Sequence, residues 1–227
     1  MQYNENKKAK ILIVDDHAIV RHGIAMLLNH EPELLACCEA EDMQQALSAN
    51  RSCPHDMAIV DLSLAGMSGL ELVKRLQTEF PDLPILVMSM HDEAVYAEPA
   101  LRAGAHGYLM KQAATETMLI ALRQILAGEL YVSDKMRSHM LKMMRGSNAE
   151  TSPTSRLTPS EFEVLHLIGL GLGTSEISQK LNRSIKTIES HRANIKRKLN
   201  LTSGNELTHY AYSLTASPKK NEPDSLL

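Results

Sequence analysis

The sequence contains few aromatic residues and few cysteines. Tryptophan is absent and only two of the 227 residues are phenylalanine, so a hydrophobic core has to be built from aliphatic residues and methionine. The cysteines are Cys37, Cys38 and Cys53, and they form no Cys-x-x-Cys pair. Their spacing therefore suggests neither a zinc site nor a disulfide framework, and we expect reduced, mostly buried thiols.

Long apolar segments are missing as well. No window approaches the roughly 18 consecutive apolar residues that a membrane span needs. Residues 1–10 lack the apolar stretch of a signal peptide. We therefore expect a cytoplasmic protein that has no membrane partner.

Charge is distributed unevenly along the chain. Residues 1–128 contain 10 Lys/Arg and 17 Asp/Glu, a net charge of −7, whereas residues 156–212 contain 8 and 5, a net charge of +3. An acidic half joined to a basic half predicts two domains with different partners. The basic half is a candidate for nucleic-acid binding.

The first half alternates short apolar segments with amphipathic ones. The apolar segments, which predict strands, lie at 11–14, 34–38, 57–60, 84–88 and 105–109. The amphipathic segments, which predict helices, lie at 17–30, 42–50, 69–79, 92–103 and 115–127. Fully apolar strands that alternate with helices indicate an α/β fold, a doubly wound five-stranded parallel sheet over residues 9–128. Ligands bind such sheets at the carboxyl ends of the strands.

The second half begins with a change of composition. Residues 129–155 predict a linker, in which a possible short helix at 133–144 precedes a stretch rich in Gly, Ser, Thr and Pro. Further helices are predicted at 159–170, 174–181, 185–199 and 204–214. They define a small all-α domain over 156–214, and we expect the tail 215–227 to be disordered.

Four of the predicted strands end in residues that suit one charged ligand. These residues are Asp15 and Asp16 after the first strand, Asp61 after the third, Ser89 after the fourth and Lys111 after the fifth. Clustered carboxylates repel one another unless a cation offsets their charge, and Mg²⁺ prefers such oxygen ligands. The set suits an aspartate that attacks phosphorus while Mg²⁺ and a lysine stabilise the phosphoryl oxygens.

Together with Tyr108, this set resembles the receiver domain of two-component response regulators in order and spacing. The resemblance implies a flavodoxin-like fold in which a sensor histidine kinase phosphorylates Asp61. Lys111 would pair with the phosphoryl group. Ser89 would move to hydrogen-bond one of its oxygens, and Tyr108 would turn inward behind it.

The same resemblance implies a Mg²⁺ site. Asp16 and Asp61 would bind the ion directly, together with the backbone carbonyl of Ser63. Asp15 would contribute mostly through water.

Two residues depart from the receiver pattern. Gln112 stands where many receivers have proline, so no cis-proline turn is expected there. Pro99 lies inside the helix predicted at 92–103 and should kink or shorten it, because proline removes a helix hydrogen bond. In relatives this helix borders the surface that changes on phosphorylation.

Residues 174–199 predict a short helix, a turn and a long helix. The apolar residues expected to face inward are Ile177, Leu181, Ile185, Ile188, Ile195 and Leu199. The long helix also carries basic and polar side chains. A helix in the major groove of DNA needs such side chains, some for phosphates and others for base edges.

Residues 156–214 resemble the LuxR-type helix-turn-helix of the NarL/FixJ response regulators. The resemblance is carried by Leu157, Thr158, Glu161, Glu163, Val164, Leu165, Gly171, Glu176, Ile177, Leu181, Ser184, residues 186–191, Asn194, Ile195, Lys198 and Leu199. It implies that helix 185–199 recognises DNA. The expected base contacts are Lys186, Glu189, Ser190 and Ala193, and the expected phosphate contacts are Thr187, His191, Arg192 and Lys196.

Some details of this domain stay open. Glu189 could accept a hydrogen bond from cytosine or exclude other bases, and its alternative role is an ion pair with Arg192 or Arg183.

Ser160 and Gly204 stand where the family often has arginine. In relatives the last helix commonly forms the dimer contact, and its residues here are Leu207, Tyr210, Ala211 and Leu214. A dimer would meet a pseudo-palindromic site.

The sequence as a whole predicts a transcription regulator and not an enzyme in the usual sense. Mg²⁺-dependent phosphorylation of Asp61 would free the C-terminal domain and favour a homodimer that binds double-stranded DNA. One alternative is an interaction module whose phosphorylated first domain docks a protein. Another is an aspartyl-phosphate phosphatase, against which Ser63 argues because such enzymes need a carboxylate there. A third is a regulator that binds DNA without phosphorylation.

Overall fold

The computed structural model describes residues 8–64, 67–145 and 153–215. They form two compact units, one within residues 1–150 and one within 151–227, and each is treated by itself. Most of the flexible stretch expected before residue 155 and nearly all of the tail expected after 214 lie outside the described residues. None of the helices in the described ranges is long and apolar enough to cross a membrane.

The first unit contains the predicted five-stranded parallel sheet. Its strands are β1 (Ala9–Val14), β2 (Leu34–Ala40), β3 (Met57–Asp61), β6 (Ile85–Ser89) and β7 (Gly107–Met110). Their order in the sheet is β2-β1-β3-β6-β7, which confirms the doubly wound topology. A short antiparallel pair that was not predicted, β4 (Ser63–Leu64) and β5 (Met67–Ser68), follows β3.

Helices follow the strands of this sheet. They are α1 (Ala18–His30), α2 (Met43–Ser52), α3 (Gly69–Glu79), α4 (Glu93–Ala103) and α5 (Thr115–Leu126). Residues 11–14 of β1 are fully buried, because the strand is covered on both faces. Helices α1 and α5 contribute Leu28 and Leu122 to one core cluster with Ile11 and Ile13 of β1. Helix α4 runs through Pro99 and is not shortened by it.

The segment after α5 packs on the first unit. Tyr131 pairs with the edge strand β7, since its carbonyl accepts from the amide of Tyr108 at 3.1 Å and its amide donates to the carbonyl of His106 at 2.9 Å. Ser133 then donates to the Glu93 carboxylate from both its amide and its hydroxyl, and α6 (Asp134–Arg145) follows. Thus part of the stretch expected as linker is bound to the sheet edge and to α4.

The second unit is helical. Within residues 153–215 it contains a 3-10 turn at Pro153–Arg156 and four helices, α7 (Pro159–Gly169), α8 (Thr174–Lys180), α9 (Ile185–Leu199) and α10 (Gly204–Thr215). Thr158 caps α7 in a capping box with Glu161. The core cluster contains Val164, Leu165, Leu167, Ile168, Ile177, Leu181, Ile188, Ile195, Leu207 and Ala211.

Two expectations about side-chain direction in this unit are wrong. Ile185 is 50% exposed, because it is the first residue of α9 and lies roughly 60° around the helix from the buried Ile188. Leu207 and Ala211 of α10 are fully buried in the core of their own domain. They are therefore unavailable for a dimer contact, whereas Tyr210 and Leu214 are half-buried and Tyr212 on the outer face of α10 is exposed.

Candidate functional site

The acidic residues and the lysine predicted at the strand ends come together. Asp15 directly follows β1, and Asp61 is the last residue of the adjacent strand β3. Each of the two side chains is 2% exposed. Lys111 lies beyond β7, and its Nζ donates to Asp15 Oδ2 at 2.5 Å and to Asp61 Oδ2 at 2.8 Å. Burial by itself would lower the pKa of Lys111, but the hydrogen bonds and charges of the two aspartates outweigh it and raise the pKa. The lysine is therefore held charged.

The two carboxylate oxygens of Asp61 differ in their hydrogen bonding. Its Oδ2 is bound by Lys111, whereas its Oδ1 is buried and has no hydrogen-bond partner among the residues that the structure describes. A buried oxygen without a partner is costly, so the site favours a ligand that supplies positive charge or an electrophile. The carboxylates of Asp15, Asp16 and Asp61 lie within 4.8 Å of one another, which fits the oxygen ligands that Mg²⁺ prefers.

His17 is a neighbour of this site that sequence reasoning missed. Its backbone amide donates to Asp15 Oδ1 at 2.8 Å, and its ring Nδ1 lies 2.7 Å from Asp16 Oδ1. The ring is 65% exposed, so it can leave the carboxylates at little cost. Its position directly after the acidic pair was the available signal.

The loop after β3 is pressed against the start of α3. A Cβ at Gly69 would overlap the carbonyl oxygen of Asp61 and the Cα of Leu62, so only glycine fits there. Ser63, whose carbonyl was predicted to bind metal, lies in β4. Its hydroxyl is 3.2 Å from Nε2 of His91, a residue that the sequence did not single out.

The two predicted switch residues are linked through His91. Ser89 is fully buried, and its Oγ accepts from the His91 amide at 3.2 Å. Tyr108 is 1% exposed and lies inward, and burial raises the pKa of its phenol. Serine and tyrosine are therefore parts of one hydrogen-bonded unit beside Asp61.

The predicted base-contacting residues share one face of α9. Lys186, Glu189, Ser190 and Ala193 are all exposed, at the spacing of successive helical turns. The predicted phosphate contacts are half-buried and flank this face; they are Thr187, His191, Arg192 and Lys196. Within residues 153–215 Glu189 forms no ion pair, so the alternative role weighed for it finds no support.

Helix α9 is held at both ends. The Ser184 hydroxyl accepts from the amide of Thr187 at 3.1 Å and caps the amino end. Near the other end Lys198 Nζ donates to Glu161 Oε2 at 2.6 Å. Burial by itself would raise the pKa of Glu161, but the bond from Lys198 and the capping-box contacts lower it. A rigidly held helix suits groove recognition, because its exposed side chains keep their register.

Comparison with known proteins finds one family model for each half of the chain. The family model described as response regulator receiver domain matches residues 11–123, and the model described as bacterial regulatory proteins, luxR family, matches 155–211. The oxygen regulatory protein NreC of Staphylococcus aureus (strain MRSA252) is 38% identical over 208 residues, which cover 89% of this chain and 96% of that protein. NreC of Staphylococcus carnosus (strain TM300) is 37% identical over the same length.

Solved structures of RcsB have the same architecture. RcsB from Salmonella enterica serovar Typhimurium, bound to promoter rprA with the phosphomimetic BeF3−, is 28% identical with a TM-score of 0.64, covering 93% of this chain and all of that one. An RcsB–DNA complex is 31% identical with a TM-score of 0.63, covering 90% and 99%. A receiver fold with an acidic strand-end site and a LuxR-type helical domain defines a class of signalling proteins. The chain belongs to the NarL/FixJ family of response regulators, which are DNA-binding regulators of transcription.

Proposed function

We propose that a sensor histidine kinase phosphorylates Asp61 in a Mg²⁺-dependent step, in the cytoplasm. The observation that carries this proposal is the state of the Asp61 carboxylate, with Oδ2 held by Lys111 and Oδ1 buried without a partner. A carboxylate oxygen of Asp61 attacks the phosphorus atom of the kinase's phosphohistidine. The phosphorus–nitrogen bond breaks, and an acyl phosphate forms on Asp61.

The other residues of the site bind and orient the phosphoryl group. Asp16, Asp61 and the carbonyl of Ser63 would hold Mg²⁺, with Asp15 acting through water. The bound ion supplies positive charge that offsets the phosphoryl oxygens. Lys111 pairs with one of these oxygens, and the Ser89 hydroxyl turns from the His91 amide to donate to another. Tyr108 keeps the space behind Ser89 filled.

Phosphorylation then promotes dimerisation and binding to a pseudo-palindromic double-stranded site through α9. Structures of RcsB on DNA, including two RcsB dimers bound to two parallel DNAs, support this arrangement. The exposed face of α10, with Thr208, His209 and Tyr212, is the surface of that helix available for the dimer. We propose no turnover of an external substrate, because Ser63 stands where a phosphatase would place its acid/base carboxylate.

The test separates phosphorylation from DNA binding. Full-length wild type and Asp61→Asn are treated with a small-molecule phosphoryl donor, with and without Mg²⁺, and intact mass reports the added phosphoryl group. We expect the added phosphoryl group only on wild type, and only when Mg²⁺ is present with the donor. Equal labelling of Asp61→Asn would refute the assignment. The same samples then select genomic DNA fragments. Enrichment of one inverted motif by phosphorylated wild type supports the switch.

Two other results of the selection would change the interpretation. Equal enrichment in all samples would keep DNA binding and remove phosphorylation as its control. No enrichment in any sample would favour the alternative in which the phosphorylated receiver docks a protein.

A further inference from the structure

Two of the cysteines lie beside a histidine at the end of the sheet opposite the acidic site. The Sγ atoms of Cys37 and Cys38 and a ring nitrogen of His55 lie within 4.8 Å of one another. The cysteines belong to β2, and His55 is in the loop just before β3. Because β3 advances about 3.3 Å per residue and ends at Asp61, the backbone of His55 lies roughly 20 Å along the strand from that of Asp61.

A bulge in β2 explains how adjacent cysteines reach one place. In the parallel pairing of β2 with β1, Ile11 pairs with Ala36 and Leu12 pairs with Cys38, so Cys37 is skipped. In a regular strand successive side chains point to opposite faces. A bulge interrupts that alternation and re-aims a side chain, so the Cys37 thiol can lie beside the Cys38 thiol.

The tautomer of His55 follows from its contacts with Asn50. The backbone amide of His55 can only donate, and it faces Asn50 Oδ1 at 3.2 Å, which identifies that atom as the oxygen. The same oxygen lies 2.8 Å from His55 Nδ1, so Nδ1 carries the proton. Nε2 is therefore an unprotonated acceptor. It is buried and has no hydrogen-bond partner among the described residues.

We propose that Cys37, Cys38 and His55 form a zinc-binding site. Two thiolates and a neutral imidazole are ligands that Zn²⁺ favours. A hydrogen-bond acceptor such as Asn50, on the other ring nitrogen, commonly orients a histidine ligand. Zn–S bonds of about 2.3 Å place tetrahedral ligand atoms about 3.7 Å apart. The cluster, within 4.8 Å, therefore contracts by at most about 1 Å on binding.

The surroundings supply what a zinc site needs. Cys53 Sγ, which accepts from Lys10 Nζ at 3.7 Å, does not belong to the group within 4.8 Å, so the fourth tetrahedral position would go to Cys53 after a shift or to a water molecule. Cys37 and Cys38 are half-buried, which leaves a path for the ion. Binding replaces the thiol protons, which pass to the solvent. The bound ion would fix the edge strand β2 to the loop before β3.

Cobalt provides the test, because tetrahedral Co²⁺ with thiolate ligands shows sulfur-to-metal charge transfer and intense visible bands. The reduced, chelator-treated full-length chain is titrated with Co²⁺ in excess Mg²⁺, which covers the acidic site. We expect one Co²⁺ per chain with thiolate bands, displaced by an equal amount of Zn²⁺. Cys37→Ser, Cys38→Ser and His55→Gln should each weaken binding by at least about tenfold.

A matched variant separates this site from other histidines. His30→Gln, at the exposed end of α1, should bind Co²⁺ like the wild type. The absence of thiolate bands while all three thiols react with a thiol reagent would overturn the proposal. Bands of wild-type intensity in the Cys37→Ser, Cys38→Ser double variant would overturn it as well.

Discussion

The hydroxyl of Tyr108 donates to the backbone carbonyl of His91 at 2.9 Å and so ties β7 to the segment that follows β6. The amide of His91 in turn donates to Ser89 Oγ. A serine that turns toward a phosphoryl group must give up this amide. In the proposed switch, the position of His91, and with it the bond from Tyr108, would therefore be coupled to phosphorylation of Asp61.

Tyr108→Phe should remove this bond and the interaction of the same hydroxyl with the Ser89 side chain. The ring stays buried, but the carbonyl of His91 loses its donor, so the free energy of unfolding of the first domain should fall by about 1 kcal/mol. Urea unfolding followed by circular dichroism measures the change. Tyr212→Phe is the control, because that side chain is 65% exposed. Equal loss in both variants would contradict the role of the buried bond.

Gly69→Ala should impair phosphorylation of Asp61. The new methyl group would overlap the Asp61 carbonyl oxygen and the Leu62 backbone, so the loop that carries the phosphoacceptor must shift. We expect a phosphorylation rate at least about tenfold lower, because small misplacements of reacting groups cost about this much or more. Gly23→Ala on α1 meets nothing within 4 Å and should keep the wild-type rate. A normal rate in Gly69→Ala would show that the loop adjusts freely.

Glu161→Gln should destabilise the DNA-binding domain in a pH-dependent way. Glu161 is 4% exposed and receives the charged bond from Lys198, so the loss at neutral pH should be about 1–3 kcal/mol. Because its pKa is lowered in the folded state from the ordinary 4.5, this stabilisation is present above about pH 4.5 and is lost as the pH falls through the folded-state pKa.

Unfolding curves for wild type and Glu161→Gln should therefore differ most near neutral pH and converge in acid. Glu189→Gln is the control, since Glu189 is exposed and forms no ion pair within residues 153–215. A difference that stays constant down to acidic pH would show that the Glu161 charge is not responsible.

Lys196→Ala should weaken DNA binding without altering sequence preference. If Lys196 contacts a phosphate, affinity falls for all sites, and the dependence of log K on log salt becomes shallower by about one. Fluorescence anisotropy at several salt concentrations measures both quantities. Lys74→Ala, on the exposed side of α3, should leave them unchanged. An unchanged salt slope in Lys196→Ala would remove it from the phosphate contacts.

Local patterns in the sequence determined the architecture. Each strand of the large sheet was predicted to within two residues at either end, since an apolar run between helices has few alternatives in a sheet covered on both sides. Helix α9 was predicted from Ile185 to Leu199 because Ser184 before it and the spaced apolar residues within it are local signals. The strand-end positions of Asp61 and Lys111 followed from the same alternation.

Some features depend on packing between distant segments, and only the tertiary structure decided them. The burial of Leu207 and the exposure of Ile185 depend on which helix lies opposite, which periodicity does not specify. Tyr131 pairs with the sheet edge because β7 has unpaired backbone groups there, a property of the sheet and not of residues 129–145. Cys37, Cys38 and His55 have no motif spacing, and a strand bulge and an inter-strand loop bring them together. Sequence determines short-range order, whereas contacts between distant segments arise only when the sheet has formed.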